Sequence, residues 1–329
     1  HARTMRARRS RPSVLVAVSV LAALALAGTT SSAAVSSVEN GGRASDEAVR
    51  LDPPPARVTV IAGGDVLTES RVRLRAEQDG IRSDRRFDFR PMFDPVADLV
   101  RQADLAICNA ELPIGRPNAI AGPVGQSATV GRRIIAPYEL AEGLAHAGFD
   151  RCSTASNHSF DGGVDGIAST IVALDDWGIS TVGTARSEDE ADVDVLDVRP
   201  ARVAHLSVTT HLNDPRPSPA WRIDAFPSPD DVVADARSAR ERGADIVVLS
   251  LHVQRELEAG PIATDRRFVE SIASSGAVDA VVVHGPHVVQ PFEFVGETAV
   301  WWSVGNFVSE MGPPSTGRYA TPYSADGLL

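Results

Sequence analysis

Apolar and polar positions along this chain fall into short blocks whose period keeps changing. Residues 57–62 (RVTVIA) form a β-rich run that ends at Gly63-Gly64-Asp65. Residues 91–103 carry Phe93, Val96, Ala97 and Val100 at helical spacing, and residues 104–108 (DLAIC) read as a buried strand ending at Asn109. A helix is predicted over 137–147, with Pro137 in its first turn and Gly148 just past its end. A strand over 149–153 leads into the polar stretch 154–163, a helix over 164–177 closes on Gly178, and a strand follows at 179–182. The second half repeats the style. A strand is predicted over 202–209, then a helix over 228–242 with Ser228 as N-cap, Pro229 at the first helical position and Gly243 after its end. Residues 246–251 are almost unbroken apolar, as buried parallel strands are. A helix over 264–275 and strands over 280–283, 292–295 and 299–303 complete the pattern. Such alternation predicts α/β architecture, and no internal repeat at solenoid periods is visible.

The first 56 residues do not share this pattern. Arg6 to Arg11 make a basic start, residues 14–27 (VLVAVSVLAALALA) an apolar run, and residues 28–34 a small-residue stretch. That order is the grammar of a secretory signal over 1–34, cleaved or kept as an anchor. Residues 35–56, rich in Ser, Ala, Gly and Pro, read as a disordered linker. The folded domain is then expected over 57–329. Met5 is the expected start of translation.

Composition sharpens this picture in three places. Hydrophobic residues make up 43% and aromatics 5%, so the core must be mainly Val, Leu, Ile and Ala. The net charge of −11, less the five arginines of the leader, gives −16 for the rest, which argues against nucleic-acid partners and against docking on anionic lipid. Cys108 and Cys152 are too few for a disulfide framework. One bridge in an oxidising compartment and two separate buried thiols both remain open, and the second is the expectation carried forward.

The polar residues gather at strand ends, where α/β folds build their sites. Asp65 follows the first strand, Asn109 and Glu111 the second, and Asn157, His158 and Asp161 the third. His252 and Glu256 follow the strand at 246–251, His284 and His287 the strand at 280–283, and Asn306 the strand at 299–303. Carboxylates, imidazoles and an amide carbonyl suit a borderline divalent cation, namely Mn, Zn or Fe. Such a cation can activate a water for hydrolysis, with a neighbouring His or Glu as acid or base. Singly, an Asp or Asn here reads equally well as a cap or turn former, and a lone His reads more readily as a hydrogen-bonded structural residue; the joint occurrence carries the signal. His146 and His205 are expected to be structural, and His211 stands at the edge of the set. Gly63-Gly64 is expected to let the chain turn sharply after the first strand.

At these loops the chain resembles the CapA family of bacterial capsule or poly-γ-glutamate synthesis proteins, which is related to the calcineurin-like metallophosphoesterases. The resemblance runs from about Val58 to Val308, through AGGDVL, ADLAICNAELPI, AGFDRCSTASNHSFDGGVDGI, LSLHVQRE, HGPHVVQPFE and WWSVGNFV in that order. It implies a metallophosphatase-like α/β/β/α sandwich and a role in making, exporting or anchoring an anionic extracellular polymer, in a membrane polymer-synthesis complex. It also implies a metal-dependent phosphoesterase-type hydrolase with Asp65, Glu111, Asn157, His252, His284 and His287 as metal ligands. His158 and Glu256 would be the catalytic groups, and Asn109, Asp161 and Asn306 would bind substrate. Val253-Gln254 replaces the family's Trp-Gly, Ser156 replaces an Asn, and Gly285 stands where the family has the first His of His-Pro-His. The Gly285 replacement favours a rival reading, a non-catalytic polymer-binding or scaffold component. Proton abstraction from a peptide or amino acid is a third. The chain stops where family members enter another strand, so the last strand or strands are expected to be missing.

Overall fold

A computed structural model describes residues 57–128 and 131–311. The expected leader and linker (1–56) and the expected site of a missing final strand (312–329) lie outside the described residues.

Two sheets carry the architecture. The first is five-stranded, in the order β13-β1-β2-β5-β6, with every neighbouring pair parallel. Its strands are β1 (Val60–Val66), β2 (Leu105–Asn109), β5 (Arg151–Ser153), β6 (Ser180–Val182) and β13 (Asn306–Val308). The second is six-stranded, β11-β12-β10-β9-β8-β7, built from β7 (Leu196–Val198), β8 (Ala201–Thr209), β9 (Ile246–His252), β10 (Ala280–His284), β11 (Phe292–Val295) and β12 (Thr298–Trp301). Its centre is parallel, and its edge strands β7 and β11 are antiparallel to their neighbours. Helices α1 (Ser70–Arg82), α2 (Arg90–Val100), α3 (Glu139–Ala147) and α4 (Gly163–Asp175) pack on the outer face of the first sheet. Helices α5 (Pro229–Glu241) and α6 (Ala263–Ser274) pack on the outer face of the second. The expected α/β/β/α sandwich is therefore present.

Strand alternation decides which side chains enter which layer. On β9, Val247, Leu249 and Leu251 face α5 and α6, while Val248 meets Leu105 and Ile107 of the first sheet. The same inward face then continues through Ser250 to His252. On β8 it runs Val203, His205, Ser207, Thr209, and on β10 it runs Val282, His284. The layer between the sheets thus starts apolar and turns polar toward the carboxyl ends of the strands. This gradient gathers the polar strand ends and the loops that follow them at one edge of the layer between the sheets.

The predicted helix boundaries hold to within a few residues, because capping groups mark them. Ser228 forms a capping box with Asp231 ahead of Pro229, and Gly148 ends α3 at φ 103°, a value that only glycine adopts without strain. Helix α1, strand β7, strand β13 and the hairpin of β3 (Gly122–Gln126) and β4 (Arg132–Ile135) were not foreseen. Helix α1 is rich in Arg and buries only Val72, Ala76, Asp79 and Gly80. The hairpin is mostly exposed and has no apolar alternation.

Two expectations are corrected. Cys108 and Cys152 are not separate thiols: they are direct register partners on β2 and β5, with Cα atoms 4.5 Å apart, and are joined as a disulfide. Parallel neighbours in register bring the two Cβ atoms within bridging distance. Gly63-Gly64 does not make a turn. Strand β1 runs through both, and a Cβ at Gly64 would lie 2.2 Å from the Gly305 carbonyl oxygen, so the requirement is close backbone approach.

Candidate metal centre

Asp65 is the hub. It ends the inner run of β1, is fully buried, and both of its oxygens are held. Oδ1 accepts from Asn109 Nδ2 at 2.8 Å and lies 3.2 Å from His284 Nδ1. Oδ2 accepts from the Gly285 backbone N–H at 3.0 Å and lies 3.1 Å from His287 Nδ1. Asn109 is oriented from its other end by Ser153 Oγ, which donates to Asn109 Oδ1 at 2.6 Å.

Around this hub the structure draws together Asp65, Glu111 and His287, whose ligand atoms lie within 4.8 Å of one another. His287 Nδ1 also lies 2.9 Å from Asn306 Oδ1. A proton held there by Asp65 and Asn306 leaves Nε2 as the coordinating nitrogen, 3.8 Å from Glu111 Oε1. His284 stands beside His252, its register partner at the end of β9. With His284 Nδ1 turned to Asp65, its Nε2 is the outward lone pair.

Four expected ligands present a buried atom with no hydrogen-bond partner: Glu111 Oε2, Asn157 Oδ1, His252 Nδ1 and His284 Nε2. Each such atom costs about 1–3 kcal/mol unless something satisfies it. Of the four, Glu111 belongs with Asp65 and His287 to the close-set group, whose oxygen and imidazole-nitrogen chemistry suits Mn, Zn or Fe, while His252 and His284 fall outside that group among the described residues.

The electrostatics point the same way. Burial alone would raise the Asp65 carboxyl, but hydrogen bonds from His284 and His287 and their charge outweigh it and hold it well below the carboxylate range. Burial raises Glu111, opposed by His287. Burial would lower His287, but the charge of Glu111 and the bond to Asp65 raise it. Burial pushes His252 down to about 3, so its imidazole is neutral and ready to coordinate.

His158 sits at the rim on the loop after β5. Its Nδ1 is 2.7 Å from Asp161 Oδ2, an ion pair that lifts the imidazole above its usual range although burial acts to lower it. Asn213 Nδ2 lies 3.4–3.5 Å from both ring nitrogens, and Asn213 Oδ1 accepts from Asn157 Nδ2 at 3.5 Å. Glu256 is exposed on the loop after β9, close enough for its charge to reach His287. Asn109, Asp161 and Asn306, expected at the substrate face, are buried and bonded inward. Asn109 holds Asp65, Asp161 holds His158 and the Ile134 N–H, and Asn306 meets His287 and Met311. His146 pairs with Asp94 and His205 with Ser250, as structural histidines do.

Ser153, Asn213 and the Gly285 N–H were missed by sequence reasoning. Ser153 could have been found, since it follows Cys152 on the alternating face of β5. Asn213 lies in an irregular segment after β8 and left no such signal. Ser156, the replaced Asn, braces the loops instead: its Oγ donates to the Glu111 carbonyl at 2.6 Å and accepts from His158 N at 3.1 Å.

The family model of the bacterial capsule synthesis protein PGA_cap matches residues 59–311. The PGA biosynthesis protein CapA of Bacillus subtilis is 25% identical over 251 residues, covering 76% of this chain and 62% of that protein. The capsule biosynthesis protein CapA of Bacillus anthracis is 27% identical over 192 residues, covering 57% and 46%. The chain therefore spans less than two thirds of the length of either relative. Among solved structures, TT1561 of Thermus thermophilus overlaps 76% of this chain and 90% of its own at 11% identity and a TM-score of 0.42, too loose an overlap to add to the topology above.

Proposed function

The chain belongs to the bacterial capsule synthesis protein family, and from that membership we propose that it is an exported, metal-dependent phosphoesterase-type hydrolase serving an extracellular anionic polymer. The observation that carries the catalytic part is the buried trio Asp65, Glu111 and His287, whose ligand atoms lie within 4.8 Å of one another. The leader pattern and the disulfide between Cys108 and Cys152 support export into an oxidising compartment.

Asp65, Glu111, His287, His284, His252 and Asn157 would hold the cation or cations. A bound divalent cation supplies an acidified water and charge stabilisation at the reacting oxygen. The protein supplies the rest. Asp161 fixes His158 at Nδ1, so Nε2 is the end that gives a proton to a leaving group. Asn213 limits rotation of that ring. Glu256 adds negative charge beside His287 from the open side. The segment after β8 and the β3–β4 hairpin, joined by the bidentate Arg133–Asp214 pair, wall the rim.

The test is metal content of the purified chain and its hydrolysis of bis(p-nitrophenyl) phosphate before and after chelation, with Mn, Zn or Fe restored. Activity lost on chelation and regained with one metal is expected. A metal-free chain that neither binds nor hydrolyses with any of the three sinks the hydrolase and returns the scaffold.

A further inference from the structure

We propose that Ser153 is a positioning residue for Asp65, acting through Asn109, and that the Cys108–Cys152 disulfide holds β2 and β5 in the register this requires. The inference rests on reading the Asp65 hub as a cation centre. Strand β1 is irregular where it matters: its register with β2 shifts between Ala62 and Asp65, and its register with β13 shifts between Asp65 and Val66. The backbone of Asp65 is still paired, with Asn109 and Asn306 as register partners and its N–H donating to the Gly305 carbonyl at 3.0 Å, but the orientation of its carboxylate is left to side chains.

The needed constraint comes from the next pair of strands. Cys108 and Cys152 are register partners, fully buried on the helix-facing side of the sheet. One position further, on the opposite face, the register partners are Asn109 and Ser153. The Ser153 hydroxyl donates to Asn109 Oδ1 at 2.6 Å, which forces the amide nitrogen toward Asp65, 2.8 Å away. Without that hydroxyl the Asn109 amide can flip and offer its oxygen to a carboxylate, a repulsive contact in a buried site. A one-residue slip of β5 would carry Ser153 to the other face, and the covalent bond between the preceding residues forbids it.

The experiment is calorimetric titration of the full chain with Mn²⁺ alone, for the parent, Ser153→Ala, Ser153→Thr and the double variant Cys108→Ala/Cys152→Ala. Outer hydrogen bonds to ligands typically set about 10–100-fold in metal affinity. Ser153→Ala and the cysteine pair are expected to weaken Mn²⁺ binding by about tenfold, and Ser153→Thr, which keeps the hydroxyl, to recover most of it. Parent-like affinity in Ser153→Ala overturns the positioning role, as does equal weakening in Ser153→Ala and Ser153→Thr. If Ser153→Ala does not fold, the Thr and double-cysteine variants carry the test: parent-like affinity in the cysteine pair overturns the role of the disulfide. A parent that binds no Mn²⁺ overturns the cation reading and this inference together; a parent that binds, with unaffected variants, overturns this inference alone.

Discussion

Gly285 shows how a single residue can mislead when read against a motif. It stands where the resemblance puts a histidine, and on sequence alone this favours the non-catalytic reading. In the structure its φ is 98°, its N–H donates to Asp65, and a Cβ would lie 1.9 Å from the Val253 carbonyl oxygen and 3.0 Å from His252 Nε2. The position has no room for a side chain, and His284, one residue earlier, contacts Asp65 instead. Restoring the motif by Gly285→His is therefore expected to harm the protein. Stability should fall by about 2–4 kcal/mol in urea denaturation, from strain at a positive φ plus overpacking. Mn²⁺ affinity should fall with it, because Val253 and His252 must move. Equal stability with tighter binding would mean that the site does lack a histidine.

At the scale of elements, the join between α1 and α2 makes a quantitative case. Asp88 precedes α2 and caps it: Oδ1 accepts from Arg90 N at 3.1 Å and from Arg90 Nε, and Oδ2 accepts from Arg90 Nη2 and Ser83 Oγ. The Arg90 guanidinium beside it holds the carboxyl below its ordinary range; burial, which acts to raise it, is the second influence and is outweighed. A depressed carboxyl stabilises the folded state above its unfolded value, about 3.9. That stabilisation is lost as pH falls through the folded value. Asp88→Asn is expected to cost about 1–2 kcal/mol at pH 7, with the gap between the two proteins already narrower at pH 2 than at pH 7. Melting curves at the two pH values check this, and a gap that stays constant with pH would assign the effect to packing. The disulfide acts at the same scale: closing 44 residues between β2 and β5 contributes about 4 kcal/mol in the chain-entropy account.

Across the whole molecule, two charge arrangements lead to opposite expectations. The cation centre binds only the folded chain, so Mn²⁺ at about 100 times its dissociation constant should add about 2.7 kcal/mol and raise the melting temperature accordingly. No shift at saturating Mn²⁺, Zn²⁺ and Fe²⁺ would remove the centre. The other arrangement is a cleft of about 270 Å³ where β6 and β8 meet, lined by Arg151, Trp221, Asp224 and Asp235 among others. There burial, then the neighbouring Asp235, pushes the Asp224 carboxyl up to about 7. A raised folded value favours the fold fully below the unfolded value near 3.9, and the benefit drains away as pH rises through about 7. Asp224→Asn should match the parent near pH 4 and melt at a higher temperature at pH 8. A variant less stable at pH 8 would show that the carboxylate has a partner worth keeping.

What the chain alone determined was the alternation of strands and helices and the list of polar residues at strand ends. Both follow from local rules: period 2 or 3.6, capping residues such as Ser228 and Gly148, and unbroken apolar runs such as that in β9. It could not reveal α1 or β13, whose sequences carry little apolar pattern and whose places come from packing and from pairing with β1. It also left open which strand-end residues meet. Only the stacking of two sheets brings Asp65 and Asn109 of one sheet to His284 of the other and to His287 beyond it, and turns Asn109 and Asn306 inward. The pairing of Cys108 with Cys152 was decided in the same way, by strand order, because register between strands 44 residues apart is a property of the assembled sheet and not of either segment.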